Sequence, residues 1–256
     1  MALLSVRSLT KRFGGLTALE SFDIDVEAGA IVGIIGPNGS GKTTFFNVLT
    51  GMYKADNGEI HLEGAEENLL DLKTHQIIYR GIARTFQNQR PFNNLSVLEN
   101  LMVGGHSRTR GGILSALFNL SGPRRERERL KERAHGVMQI FGDRLSSMKD
   151  SPAWTLSYAN RRRLEIARAL MSKPKLLLLD EPTAGMNPAE SSQLIRNILN
   201  INREGVAVLV IEHDMNVIKN LCKRTVALDY GTKIVDGTFA EVRHHPKVIE
   251  AYLGQE

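Results

Sequence analysis

A disulfide framework is the first thing this chain cannot have. Its 256 residues include one cysteine, Cys222, so the fold is unstapled and suits a reducing compartment. Long apolar runs are missing too. The longest, such as Val206 to Ile211, match a buried strand and fall far short of a membrane span. The opening "MALLSV" has no charged n-region and no extended apolar stretch, so no secretory signal is expected. No long internal repeat or low-complexity linker interrupts the chain. Neither sign of charge dominates: 33 Lys and Arg against 28 Asp and Glu leave +5. That balance is compatible with nucleotide, nucleic acid or an anionic membrane surface, and selects none of them. What remains is a soluble globular chain, 42% hydrophobic and 24% charged, able to bury one substantial core.

Strand-like and helix-like patterns alternate along it. Phe22, Ile24 and Val26 alternate with acidic or polar neighbours, as in a half-exposed strand. "IVGIIG" (31–36), "KLLLLDE" and "VAVLVIEHD" read as buried strands, and the helix between the last two is marked by Asn187 and Pro188 at its start. Strand, helix, strand with continuously apolar strands predicts a mostly parallel sheet covered on both faces. Residues 88–160 contain helical patterns, "SVLENLMVGG" and "RRERERLKERAHGVMQIFG", and no convincing buried strand. They are expected to form a helical subdomain inserted into an α/β core made of 1–87 and 161–256.

"GPNGSGKTT" fulfils the pattern G-x-x-x-x-G-K-[ST] between a strand and a helix. Gly36, Gly39 and Gly41 let backbone N–H groups converge on phosphate oxygens. Pro37, Asn38, Ser40 and Thr44 complete the loop. Lys42 is suited to β- and γ-phosphates, and the Thr43 hydroxyl to Mg²⁺. A glycine turn that merely joins strand to helix would not need the lysine and the hydroxyl. "LLLLDEP" adds Asp180 at a strand end, placed to hold Mg²⁺, and Glu181, placed to polarise an attacking water. Ser157, at the expected start of the helix "LSYANRRRLEIARAL", offers a second anion site, although it would serve equally as that helix's own cap.

Together "GPNGSGKTT", "RTFQN", "LSYANRRRLEIARAL", "LLLLDEPTAGMNP" and "IEHD" resemble the ATPase subunits of ABC transporters, in order and approximate spacing across essentially the whole chain. "RFGGLTAL", "GIARTFQNQRPF", "LSVLENLMVGGH" and the terminal "AYLGQE" are most similar to importers of branched-chain amino acids and related polar solutes. The resemblance implies a P-loop ABC ATPase fold with an N-terminal antiparallel β subdomain, binding ATP and Mg²⁺. It implies that Phe13 stacks on adenine and that Gln87 contacts Mg²⁺ and the attacking water. His213, 33 residues after Asp180 (213 − 180), would bond the γ-phosphate. Ser157 would close over a nucleotide held by a second ATPase subunit packed head to tail. Further implied partners are two membrane-spanning permease subunits and, indirectly, an extracytoplasmic solute-binding protein. No nucleic acid is implied, and the implied location is the cytoplasmic face of the membrane.

Two departures stand out. The usual L-S-G-G-Q reads Leu156, Ser157, Tyr158, Ala159, Asn160, so a Cβ at 159 is expected to crowd the partner's phosphate. Asn187 stands where many relatives have aspartate. "GGILSALFNLSGP" (111–123) carries Ile113, Leu114, Leu117 and Phe118 at helical spacing, either a docking face or part of the chain's own core. Rival readings are a lipid or lipopolysaccharide exporter ATPase and an importer for urea- or amide-like solutes. A rival from another class is a soluble ABC ATPase of DNA repair or translation, which would usually carry two cassettes or long coiled coils that 256 residues do not accommodate. A GTPase is disfavoured because no N-K-x-D motif is present.

Overall fold

Two-residue alternation sorts the strands of this chain into faces, and the faces dictate the layers. The structure, a computed structural model, describes residues 2–85, 91–105 and 121–253. Strands β1 (Ala2–Phe13) and β2 (Leu16–Glu27) pair antiparallel, and β4 (Asn57–Leu62) joins the other side of β1 in a three-stranded sheet. On β2, Phe22, Ile24 and Val26 are buried while their neighbours are less so, as the alternation requires.

The main sheet begins at β3 (Ile31–Ile35), which runs into the glycine loop and helix α1 (Lys42–Leu49). Helix α2 (Thr74–Arg80) and β5 (Ile82–Arg84) follow. Next come α3 (Val97–Gly104), α4 (Ser121–Ile140), α5 (Asp143–Ser146) and α6 (Tyr158–Leu170), so the described elements between β5 and the next strand of either sheet are helical. The chain then runs β6 (Leu176–Asp180), α7 (Pro188–Arg203), β7 (Ala207–Ile211), α8 (Met215–Leu221), β8 (Arg224–Asp229) and β9 (Thr232–Gly237). It ends on α9 (Phe239–Arg243) and α10 (Pro246–Leu253). The six strands lie in the order β5-β6-β7-β3-β8-β9, parallel except for the β8–β9 pair.

Every residue of β3, β6 and β7 is buried, so each strand feeds two cores at once. Leu177, Leu179, Val208 and Val210 face a cluster that includes Val97, Leu101, Met138, Leu164 and Ile198 from the helices. Leu176, Leu178, Leu209 and Ile211 face the other cluster, with Phe22, Phe45, Phe46 and the antiparallel sheet. Each such side chain contributes about 1.5–3 kcal/mol on burial, so slipping one strand by a residue would exchange both faces at once.

Local signals explain the helix boundaries. Ser96 and Glu99 form a capping box at α3, and Asn187 and Glu190 form another at α7 with Pro188 in its first turn. The Asn187 that replaces an expected aspartate is therefore occupied as a cap. Helix α4 already includes Ser121, where the described residues resume, ahead of the arginine-rich stretch. The side chains of Ile113, Leu114, Leu117 and Phe118 lie outside the described residues. Buried Asn100 ties down the approach to α3, its Nδ2 donating to the carbonyls of Phe92, Leu95 and Ser96 and its Oδ1 accepting from the Phe92 N–H.

Cys222, just after α8, is buried against β3, where Gly33 leaves room for it: a Cβ at Gly33 would come within 3.0 Å of Cys222 Sγ. Burial, with Glu212's charge adding, pushes the thiol up to about 12. The native protein is therefore expected to resist thiol labelling at pH 8, with labelling in urea following global unfolding. Rapid labelling in native buffer, before any loss of circular dichroism, would show that this corner opens locally.

Candidate functional site

The cradle is built where β3 ends. Gly36, Gly39 and Gly41 take φ of +148°, +80° and +103°, conformations that side chains oppose. Two of them are also closed by sterics. A Cβ at Gly36 would lie 2.1 Å from the Leu228 carbonyl oxygen, and one at Gly41 would lie 2.4 Å from that of Ala18. Ser40 and Pro37 are buried within the loop, whereas Asn38 and Gly39 are exposed at its tip. No side chain caps α1, so the N–H groups of its first turn, from Lys42 through Thr44, point to an anion at the positive end of the helix dipole. The Thr43 side chain is exposed and Thr44 half-buried.

Lys42 is buried and folds back over its own loop. Its Nζ donates to the carbonyls of Gly36 and Pro37, each at 2.7 Å, and to Ser40 Oγ at 3.3 Å. Burial holds the ammonium below its usual pKa, opposed by the charges of Glu181 and Asp180. A cation held this way is suited to an incoming polyanion, which would offset its desolvation.

The carboxylates arrive from the next strands. Asp180 ends β6, and its Oδ2 receives Arg84 Nη2 at 2.9 Å, both side chains being 5% exposed or less. The other arm of Arg84 reaches Asn47 Oδ1 on α1 at 2.6 Å, and its guanidinium lies over the Phe46 ring at 5.4 Å. Glu181 follows at φ +47°, a backbone conformation uncommon for glutamate. Its peptide is clamped: its N–H donates to the Ile211 carbonyl at 2.9 Å, and its own carbonyl accepts from Arg162 Nη2 at 3.0 Å. Arg162, on α6, is buried and paired with Glu165.

His213 Nε2 lies 3.0 Å from Glu181 Oε1. Between them works Glu212, 3% exposed, whose carboxylate accepts from the Thr183 N–H and hydroxyl and from the His213 N–H. It fixes both turns at once. The loop, Asp180, Glu181 and His213 are thus brought together at one edge of the sheet.

The remaining expected residues are dispersed. Ser157 caps α6, its Oγ accepting from the Asn160 N–H at 3.3 Å, and its hydroxyl proton can still be donated. Beside it a cavity of about 390 Å³ is lined by Arg144, Arg163 and Arg196 among others. Glu190 lines it too, so three arginines against one glutamate give this helix start a basic setting. Burial, with Arg144 adding and Glu190 opposing, lowers the pKa of Arg163. Ala159 is only 3% exposed. Its methyl is covered by the protein itself, and the expectation that it crowds a partner's phosphate is withdrawn. Phe13 ends β1 with its ring half-exposed, edge-on to Tyr53 at 5.2 Å and under Lys11 Nζ at 5.2 Å. Gln87 lies outside the described residues. Arg84, Arg162, Glu212 and Tyr252 escaped the sequence reading. The Tyr252 hydroxyl accepts from the Gly36 N–H at 2.9 Å, 216 positions away. The usable signals were an arginine in a short apolar strand and a glutamate closing a buried one.

Comparison with known proteins places this geometry. Residues 19–184 match the ABC transporter family model, and residues 232–256 match a model described as the branched-chain amino acid ATP-binding cassette transporter. The chain is 42% identical over 255 residues to the high-affinity branched-chain amino acid transport ATP-binding protein BraF of Pseudomonas aeruginosa, covering 99% of this chain and 98% of that one. It is 40% identical over 254 residues to the LivG protein of the same description from Escherichia coli, at the same coverage. Among solved structures it is similar to the ADP conformation of an ATP-binding cassette of an ABC transporter, with TM-score 0.85, 33% identity and full coverage of both chains. A dimeric bacterial ABC transporter cassette matches at TM-score 0.76 and 25% identity, over 92% of this chain and 98% of that one. The chain belongs to the ABC transporter family, as one of its ATP-binding, ATP-hydrolysing cassettes.

Proposed function

We propose that this cassette energises a membrane importer for branched-chain or other amino acids, working as one of two ATPase subunits beneath two permease subunits. An extracytoplasmic binding protein would deliver the solute. The observation that carries the catalytic half is the contact between Glu181 and His213 at the sheet edge that also bears the phosphate loop. The importer half rests on the relatives and on the match of the C-terminal segment, which favour it over a lipid exporter or a urea- or amide-type importer. Among the described residues no helix is long and apolar enough to cross a membrane. The permease, in this reading, holds the cassette at the cytoplasmic face.

In this reading the first-turn N–H groups of α1 hold the phosphates of ATP, and Lys42 leaves the Gly36 and Pro37 carbonyls for the β- and γ-oxygens. The donor set suits Mg²⁺, a hard ion that prefers oxygen: the exposed Thr43 hydroxyl and the Asp180 carboxylate would hold it, with Gln87 contributing. When bound, the ion supplies positive charge against the β- and γ-phosphate oxygens. Arg84 keeps Asp180 Oδ2 engaged, so the carboxylate presents its other oxygen. Glu181 orients and polarises the attacking water, and His213 steadies Glu181 and donates to the γ-phosphate. Phe13 supports the adenine by stacking. Ser157, in its basic setting, closes on the nucleotide of the second subunit. A small apolar groove lined by Ile78, Phe92, Val103 and Ala169 opens beside β5, and we assign it to the permease.

Glu181→Gln is expected to keep ATP affinity and lose at least a hundredfold in turnover, since general-base catalysis of this kind is worth about 10²–10⁴. ATPase at close to the normal rate would remove Glu181 from the role of base. Arg84→Met is expected to cost about 3–5 kcal/mol in urea unfolding, because it leaves Asp180 buried and uncompensated. The double variant Arg84→Met with Asp180→Asn should cost less than the sum of the singles, and strict additivity would argue against the pairing. The transport assignment is tested by purifying the native complex in mild detergent and identifying its subunits by mass spectrometry. Phe92→Asp should reduce permease recovery while leaving ATPase of the isolated chain unchanged. Recovery of a repair or translation complex in place of a permease would overturn the assignment.

A further inference from the structure

The matched C-terminal segment, 232–256, contains neither the phosphate loop nor Asp180, Glu181 or His213. Yet one of its side chains touches the phosphate loop directly. Helix α10 follows α9 across His244 and His245, and it is anchored by buried Val248. Tyr252, near its end, packs against the core cluster and carries its hydroxyl to the backbone N–H of Gly36 at 2.9 Å. Burial raises the phenol's pKa, with the bond from Gly36 opposing, so the hydroxyl stays protonated at neutral pH.

The position of that bond matters. Gly36 is the joint between β3 and the loop, at φ +148°. Its N–H belongs to the peptide on the strand side of the joint, and its carbonyl to the peptide on the loop side. That carbonyl is one of the two holding Lys42 Nζ. When Lys42 moves to a phosphate, the loop-side peptide loses its partner while the strand-side peptide remains tied to Tyr252. Leu228 O and Ser40 Oγ crowd the same glycine, at 2.1 and 2.6 Å from the place a Cβ would take. Steric walls confine the joint, and the tyrosine fixes its orientation.

We propose that Tyr252 is a positioning residue that holds the phosphate loop in its nucleotide-receiving form, so that docking of the C-terminal helix and nucleotide affinity are coupled. The proposal rests on the reading of the loop as the nucleotide cradle. Coupling of this kind is reciprocal: if the docked helix favours nucleotide, nucleotide must favour the docked helix.

The test uses the full chain with Mg²⁺-free ADP as probe. Tyr252→Phe keeps the ring and deletes the acceptor, and loss of one hydrogen bond of ordinary net strength predicts about a fivefold weaker ADP affinity by equilibrium titration. Hydrogen exchange of the α10 amides should slow on ADP binding in the wild type, and should slow less in the variant. A role confined to stabilising the fold would lower the melting temperature while leaving affinity and the ADP effect on α10 unchanged. Equal ADP affinity in wild type and variant overturns the proposal, and so does wild-type α10 exchange that ignores ADP. If Tyr252→Phe does not fold, the wild-type exchange measurement decides alone. Failure of the underlying reading looks different: the wild type itself would not bind ADP.

Discussion

The site depends on the register of three parallel strands. Asp180 is paired with Ile211 across β6 and β7, and Ile34 with the same Ile211 across β7 and β3. Because these strands end level, the glycine loop, the acidic pair and the Glu212–His213 pair all leave the sheet at one edge. Ligands of open α/β sheets gather at the carboxyl ends of strands for this reason. The register is in turn enforced by burial on both faces, since a one-residue slip would exchange the two sets of apolar side chains. The chemistry is therefore anchored in residues such as Leu177 and Leu178 that take no part in it.

Onto that edge the fold adds clamps from elsewhere. Arg162 lets the helix begun by Ser157 bear on the peptide of Glu181. One rigid element thus connects Ser157, which in the proposed function closes on a partner's nucleotide, with Glu181, which in the same proposal serves the chain's own. Glu212 does the same between the turn after Glu181 and the turn at His213. Both are buried, and each holds backbone in place instead of meeting a reactant. The uncommon φ of Glu181 is sustained by this surrounding hydrogen bonding, as local strain at functional sites generally must be.

What the sequence disclosed and what it hid divide along contact distance. The phosphate loop, the strand before Asp180 and the caps at Ser157 and Asn187 are local: their residues lie within a few positions of their partners. Period-two and strand–helix alternation likewise made the parallel sheet legible. Arg84, Glu212 and Tyr252 act on partners 96, 29 and 216 positions away. A charge in or beside an apolar strand flags the first two as residues, but a single sequence does not name their partners. Ala159 failed for a different reason. A missing glycine suggested a Cβ aimed at the ligand, but the second residue of α6 faces the protein's own interior. Which way a residue points is a property of helix phase and packing, and the motif alone does not carry it.

Each functional charge is held by a partner within the chain, and burial separates the partnerships that can change from those that persist. The Lys42 ammonium rests on carbonyls that are neutral acceptors, so a phosphate oxygen, being charged, competes well for it. The His213 side chain is 42% exposed and that of Glu181 20%. Solvent can replace either partner, and the pair can open around a substrate at modest cost. Arg84 and Asp180 have no such freedom, at 5% and 3%. Separating them would strand two charges away from water, which costs far more than any rotamer change. The Asp180–Arg84–Asn47 line thus behaves as fixed framework joining β6 to α1. The Glu181–His213 contact and the Lys42 fold-back are the adjustable parts set upon it.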